Sequence, residues 1–196
     1  MKTQTRSATT LVRETDRGSL WKLSTRAVVY MAIGAALYAV LNLITNGWLI
    51  PGTSNVSVRP SIVIPIFFGV LFGPIVGFFT GFIGNTLSDQ LTFGIYWNWE
   101  IGNGLIGFIS GLAALFVRGA YRRWPNVVTA AVLAAIGIIV GIGFAALTDP
   151  IVSKITVGAA ISTEWVPAVV ADLLFGIPLL VILLAAWSRA RERVSR

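Results

Sequence analysis

Apolar and polar positions alternate along this chain in long blocks, with six apolar runs separated by shorter polar stretches. The runs cover about residues 26–44, 60–72, 74–91, 99–117, 127–147 and 165–187. A bilayer core about 30 Å thick needs about 20 helical residues to cross it, so the pattern predicts membrane-spanning helices. The expected fold is an all-α membrane protein with six transmembrane helices. The second run is short and would cross only partly or with local thinning of the bilayer. Ser24 or Thr25 is the expected N-cap of the first helix. Pro74 lacks a backbone N–H and pushes Phe72-Gly73 out of the helical region, which marks a tight turn between the second and third spans.

From the second run into the third the small residues are ordered. Glycines recur at Gly69, Gly73, Gly77 and Gly81, and the step of four continues to Asn85 and Asp89. Four residues advance slightly more than one helical turn, so the stripe drifts slowly around the helix and lets neighbours approach closely. Gly137-x-x-x-Gly141 does the same on the fifth span. The first span carries Ala32-x-x-x-Ala36 and Ala35-x-x-x-Ala39 around Gly34, which makes one face flat.

Composition agrees with this reading: 56% of the residues are apolar and 12% charged, and the mean hydropathy is +0.81. The absence of Cys excludes disulfides and thiolate metal sites, and the absence of His removes the commonest general base and metal ligand. No metal or cofactor is expected. The net charge of +7 suggests nucleic acid only until the charges are placed. Six spans put 13 of the 15 basic residues on one side, leaving Arg59 and Lys154 on the other. By the positive-inside rule both termini are expected in the cytoplasm. Residues 1–23 then form a basic cytoplasmic tail, 24–188 the membrane domain and 189–196 a second basic tail. A cleaved signal peptide is not expected, because no small-residue cleavage site follows the first apolar run.

The remaining polar residues gather towards the outer side. Glu100 and Asn103 share a face of the fourth span, Asn85 and Asp89 stand one turn apart, and Asp172 lies inside the sixth run. A carboxylate within a span costs about 2.5–3.5 kcal/mol on insertion scales, so each should meet a partner or a water-filled cavity. Arg59 could anchor at the interface or pair with Asp89, and Asp172 could pair with Lys154. Loops at 46–58 and 149–164, with the turn holding Tyr96 and Trp97, are expected to cap this region. Aromatic planes with a few fixed polar groups suit a small planar ligand. Trp48, Trp97 and Trp165 also fit an interfacial belt. The acids Asp89, Glu100, Asp149, Glu164 and Asp172 against Arg59 and Lys154 favour a cationic or neutral ligand.

Three stretches, MAIGAALYAVLN (31–42), VRPSIVIPIFFGVLFGPIVGFFTGFIGN (58–85) and WNWEIGNGLIGFISGL (97–112), together resemble substrate-binding S components of energy-coupling factor (ECF) transporters. The resemblance is to the riboflavin-transporter-like branch and covers residues 26–187. It implies six helices with cytoplasmic termini, a vitamin ligand bound near the outer face, and no ATPase activity in this chain. It further implies a transmembrane coupling subunit and a pair of cytoplasmic ATPases as partners. Small residues of the first helix would meet the coupling subunit, which points to Ala32, Ala36, Ala35 and Ala39. The matching ligand candidates are Trp97, Asn98, Glu100, Asn103, Trp165 and Asp172, with Trp48 as a lid contact; the residue pattern itself adds Arg59, Asn85 and Asp89 at the rim. A thiamine-like or pyrimidine ligand suits the acids better than a phosphate ester, and riboflavin remains open. The rival readings are a self-sufficient secondary transporter or channel, and a membrane hydrolase using an Asp pair such as Asp89 with Asp172.

Overall fold

A computed structural model describes residues 20–54, 56–117 and 121–194. The basic residues Lys2, Arg6, Arg13, Arg17, Arg118 and Arg196, with Glu14 and Asp16, lie outside the described residues. The described chain is helical, with one isolated bridge between Leu49 and Ser57 and no strand. Helix α1 spans Thr25–Thr45, and the Ser24 hydroxyl caps it by accepting from the Ala27 amide. A 3-10 turn at Pro60–Ile62 leads into α2, Val63–Phe72, and α3 follows at Pro74–Gln90. Helix α4 runs Trp97–Gly111 and, after a break at Leu112, continues as the short α5, Ala113–Val117. Helix α6 is Trp124–Val152. The last rod is made of α7, Val157–Ala159, a π-helical stretch at Ala160–Trp165, and α8, Val166–Val194.

Among the described residues, four helical stretches are long and apolar enough to cross a membrane: Thr25–Thr45, Trp97–Val117, Trp124–Val152 and Val157–Arg191. The α2 and α3 rods are shorter, and they fill the remaining two places in the six-helix bundle. Large apolar side chains stand exposed along α1, α6 and α8, among them Ile33, Val132 and Leu174. Meanwhile Asn42, Asn85, Asn103, Glu100 and Asp172 are buried. That inversion of the water-soluble pattern fits a bundle whose outside meets lipid.

Gly73 sits at φ +105°, a conformation that a side chain would strain, and it turns the chain from α2 into α3. Beyond the turn, the glycine stripe is a packing device. A Cβ at Gly77 would run into the Gly107 carbonyl of α4, one at Gly69 would meet the same carbonyl, and one at Gly81 would meet that of Asn103. Gly102 and Gly141 bring α4 equally close to α6. Backbones in contact at these points set the depth at which polar side chains further along α3 and α4 come together.

One expected loop is absent. Residues 149–164 are largely helical: α6 continues to Val152 and the next helix starts at Val157, leaving only a short connection. Three polar residues of this stretch, Asp149, Ser153 and Glu164, mimic a loop because they line a cavity, where Asp149 and Glu164 are buried. Trp97 likewise opens α4 and Trp165 closes the π-helical stretch, so neither belongs to a loop.

Candidate functional site

A cavity of about 330 Å³ opens at the end of the bundle where α1, α3 and α6 finish. Its walls come from the ends of these helices, from the 46–59 loop and from the turn before α4. The helix ends contribute Asn42 of α1 and its C-cap Asn46, Asn85 and Asp89 of α3, and Asp149 of α6. Phe93 and Tyr96 from the turn and Trp99 from α4 supply aromatic surface, while Glu164 and Ala168 close the far side. From the segment between α1 and α2, Ser54, Val56, Ser57 and Arg59 line the cavity, and Ser54 ties it to the π-helical stretch. The Ser54 amide donates to the Thr163 carbonyl at 3.2 Å, and the two hydroxyls are 3.0 Å apart.

The polar walls are cross-linked. The Asn85 amide nitrogen donates to Asp89 at 2.7 Å and to Glu100 at 2.9 Å. Asn42 donates to Asn85 at 3.4 Å and to the Ser88 hydroxyl at 3.2 Å, while Asn46 reaches Ser88 at 3.1 Å. Below this layer Arg59 donates to Asp172 at 2.8 Å and to the side-chain amide oxygen of Asn103 at 3.4 Å. That same oxygen accepts the Tyr38 hydroxyl at 2.8 Å, and the Asn103 amide donates to the Trp99 carbonyl. Asn98 bridges α4 to α6 by donating to Asp149 and to the Ala145 carbonyl, both at 2.9 Å. These bonds cross-link α1, α3, α4, α6 and α8 around the cavity and hold its shape, while Asn98 Oδ1, Glu100 Oε1 and Asp172 Oδ1 remain buried without a partner.

The sequence candidates therefore divide. Arg59, Asn85 and Asp89 line the cavity. Asn98, Glu100, Asn103 and Asp172 stand directly behind the lining and hold it. Trp48, Trp97 and Trp165 are outside the lining: Trp48 and Trp97 are about half exposed, Trp97 sits edge-on to Phe144, and the Trp165 indole donates to the Ile139 carbonyl. Arg59 pairs with Asp172, which corrects the expected pairings of Arg59 with Asp89 and of Asp172 with Lys154. Helix geometry is the reason, because the start of α2 faces α8 below the cavity floor, whereas Lys154 is exposed in the short connection. Tyr38, Asn42 and Asn46 carried a readable signal, a polar residue every four positions on one face of α1. Trp99 carried a weaker mark, its pairing with Trp97 around Asn98 at a density beyond what an interfacial belt needs, and only the tertiary structure separates the two.

The alanines of α1 also divide. Ala35 and Ala39 are buried, and the Ala35 carbonyl approaches Gly84. Ala32 and Ala36 are exposed, on the side of the helix that also shows Val29, Ile33 and Val40.

Comparison with known proteins bears on all of these features. The family model for ECF-type riboflavin transporter S components matches residues 22–189. A UPF0397 protein of Vibrio atlanticus (strain LGP32) is 35% identical over 133 residues, which is 65% of this chain and 72% of that protein. No solved structure matches the chain. The matched segment contains every helix that borders the cavity, and such subunits belong to transporters and are not enzymes. The chain is a multi-pass membrane protein of the family of ECF-type riboflavin transporter S components.

Proposed function

We propose that this protein captures a vitamin, or a related small planar molecule, in the cavity between the ends of α1, α3 and α6 and passes it on through a coupling subunit driven by ATPase partners. The cavity carries the reading. Its volume of about 330 Å³ falls at the small end of the roughly 300–1,000 Å³ typical of small-molecule sites. Three aromatic side chains, Phe93, Tyr96 and Trp99, stand across from amides and carboxylates whose positions are fixed by one another. Ring stacking with a few directed hydrogen bonds is how such a site selects a planar heterocycle.

The cavity end faces outward in this reading, with both termini cytoplasmic. The support is the charge count, because the loops around the cavity hold only Arg59 and Lys154 of the 15 basic residues. The 46–59 loop, held to Thr163 through Ser54, acts as the cover that excludes water after capture. The coupling subunit docks on the exposed side of α1 at Ala32 and Ala36, where small side chains allow close helix approach. Ala35 and Ala39 serve the internal packing of the bundle instead.

Equilibrium titration of the purified protein with thiamine, riboflavin and related vitamins tests the binding role, and submicromolar binding of one of them is expected. Absence of any such ligand overturns the vitamin reading. Proteoliposomes holding this chain alone should bind ligand without concentrating it; active uptake without ATPases would make it a self-sufficient transporter.

A further inference from the structure

The cavity lining is unbalanced in charge. Among the described residues its acidic members are Asp89, Asp149 and Glu164, and its basic member is Arg59. Arg59 is already engaged: its guanidinium donates to Asp172 at 2.8 Å, and Asp172 is 1% exposed behind the lining. Lys154 offers no compensation, because it is exposed on the short connection while its neighbours Ser153 and Ile155 line the cavity. Asp89 receives a single amide proton pair from Asn85, which it shares with Glu100, and Asp149 is bonded by Asn98. These donors are neutral amides, so they orient the carboxylates without cancelling their charge.

Glu164 marks the point of need. It is 4% exposed, lies beside Asp149 on the cavity wall, and its Oε2 has no hydrogen-bond partner. Asn98 Oδ1, Glu100 Oε1 and Asp172 Oδ1 also lack partners, but they belong to residues behind the lining, whereas Glu164 is a lining residue. A buried carboxyl oxygen without a donor is a costly state that a donor or a positive charge in the cavity would relieve. Phe93, Tyr96 and Trp99 line the same space, and aromatic faces attract cations as well as planar rings.

Building on the proposed binding role, we infer that the substrate is a heteroaromatic cation, held by Glu164 and Asp149 on one side and Asp89 on the other, with its ring against Phe93, Tyr96 and Trp99. A neutral flavin leaves this acidity unmatched, and a phosphate ester is repelled by it.

Calorimetric titration of the protein in neutral-lipid nanodiscs separates the possibilities, with thiamine as the cation, riboflavin as the neutral ring and flavin mononucleotide as the anion. Thiamine should bind tightest and flavin mononucleotide weakest. Glu164→Gln should weaken thiamine by about tenfold or more, the loss expected for one charge-assisted hydrogen bond, and weaken it by a larger factor than any riboflavin binding. If Glu164→Gln does not fold, Asp89→Asn should show the same cation-selective loss. Tightest binding of riboflavin, with both variants unaffected, overturns the cation inference and leaves the vitamin role standing. Binding of none of the three overturns both.

Discussion

Removing the Asp172 carboxylate should unsettle the whole floor of the cavity. Arg59 and Asp172 meet at 2.8 Å, with the side chains 10% and 1% exposed. For charge centres about 4 Å apart at an effective dielectric near 20, the attraction is of order 4 kcal/mol, and it offsets the desolvation of both groups. In Asp172→Ala the guanidinium stays buried with only the long bond to the Asn103 oxygen, an acceptor already taken by Tyr38. Breaking one side of a buried pair costs about 3–5 kcal/mol, so Asp172→Ala should lose that much stability. The double variant Arg59→Met with Asp172→Leu removes both charges and replaces them with apolar volume. It should recover most of the loss, because no unpaired charge remains. Reversible unfolding in mixed micelles, followed by tryptophan fluorescence across the double-mutant cycle, measures both quantities. A loss below about 1 kcal/mol in Asp172→Ala, or a double variant as unstable as the single one, would refute the reasoning, since a well-solvated pair behaves in that way.

Other consequences follow from the packing and the loops. Gly77→Ala puts a methyl group into the Gly107 carbonyl and should cost about 1–3 kcal/mol through forced separation of α3 and α4. Gly47→Ala, which meets nothing within 4 Å, should be within about 0.5 kcal/mol of the parent in the same unfolding measurement. Ala36→Trp, on the exposed side of α1, should fold normally but abolish co-purification with the coupling subunit. Ala35→Trp, buried at 3% exposure, should instead fail to fold, as monodispersity in detergent would show. Ser54→Ala removes the hydroxyl contact to Thr163 and leaves the backbone bond in place. A hydrogen bond is worth about 1 kcal/mol, so stopped-flow dissociation of bound ligand should speed up about fivefold.

Much of this protein is legible in its sequence, for reasons tied to the bilayer. A helix that crosses lipid must be apolar over a fixed length, so the run at 26–44 marks α1 to within a residue or two of Thr25–Thr45. Gly73-Pro74 marks its turn because no other pair both breaks a helix and tolerates φ +105°. The glycines of α3 announce close packing because only a missing Cβ permits it. Polarity misleads at 149–164, where a buried acid and an exposed one are the same letter. Asp149 and Glu164 read as loop residues, yet they are wall residues on helices. What the sequence by itself determines is therefore the number of rods, their turns and the faces that pack. The tertiary structure decides pairing: Arg59 with Asp172, 113 residues apart, Asn98 with Asp149, and Trp99 inside the cavity while Trp97 stays outside. Contacts between distant helices depend on relative depth and rotation, and these are set by the glycine contacts of the whole bundle, not by any local stretch of chain.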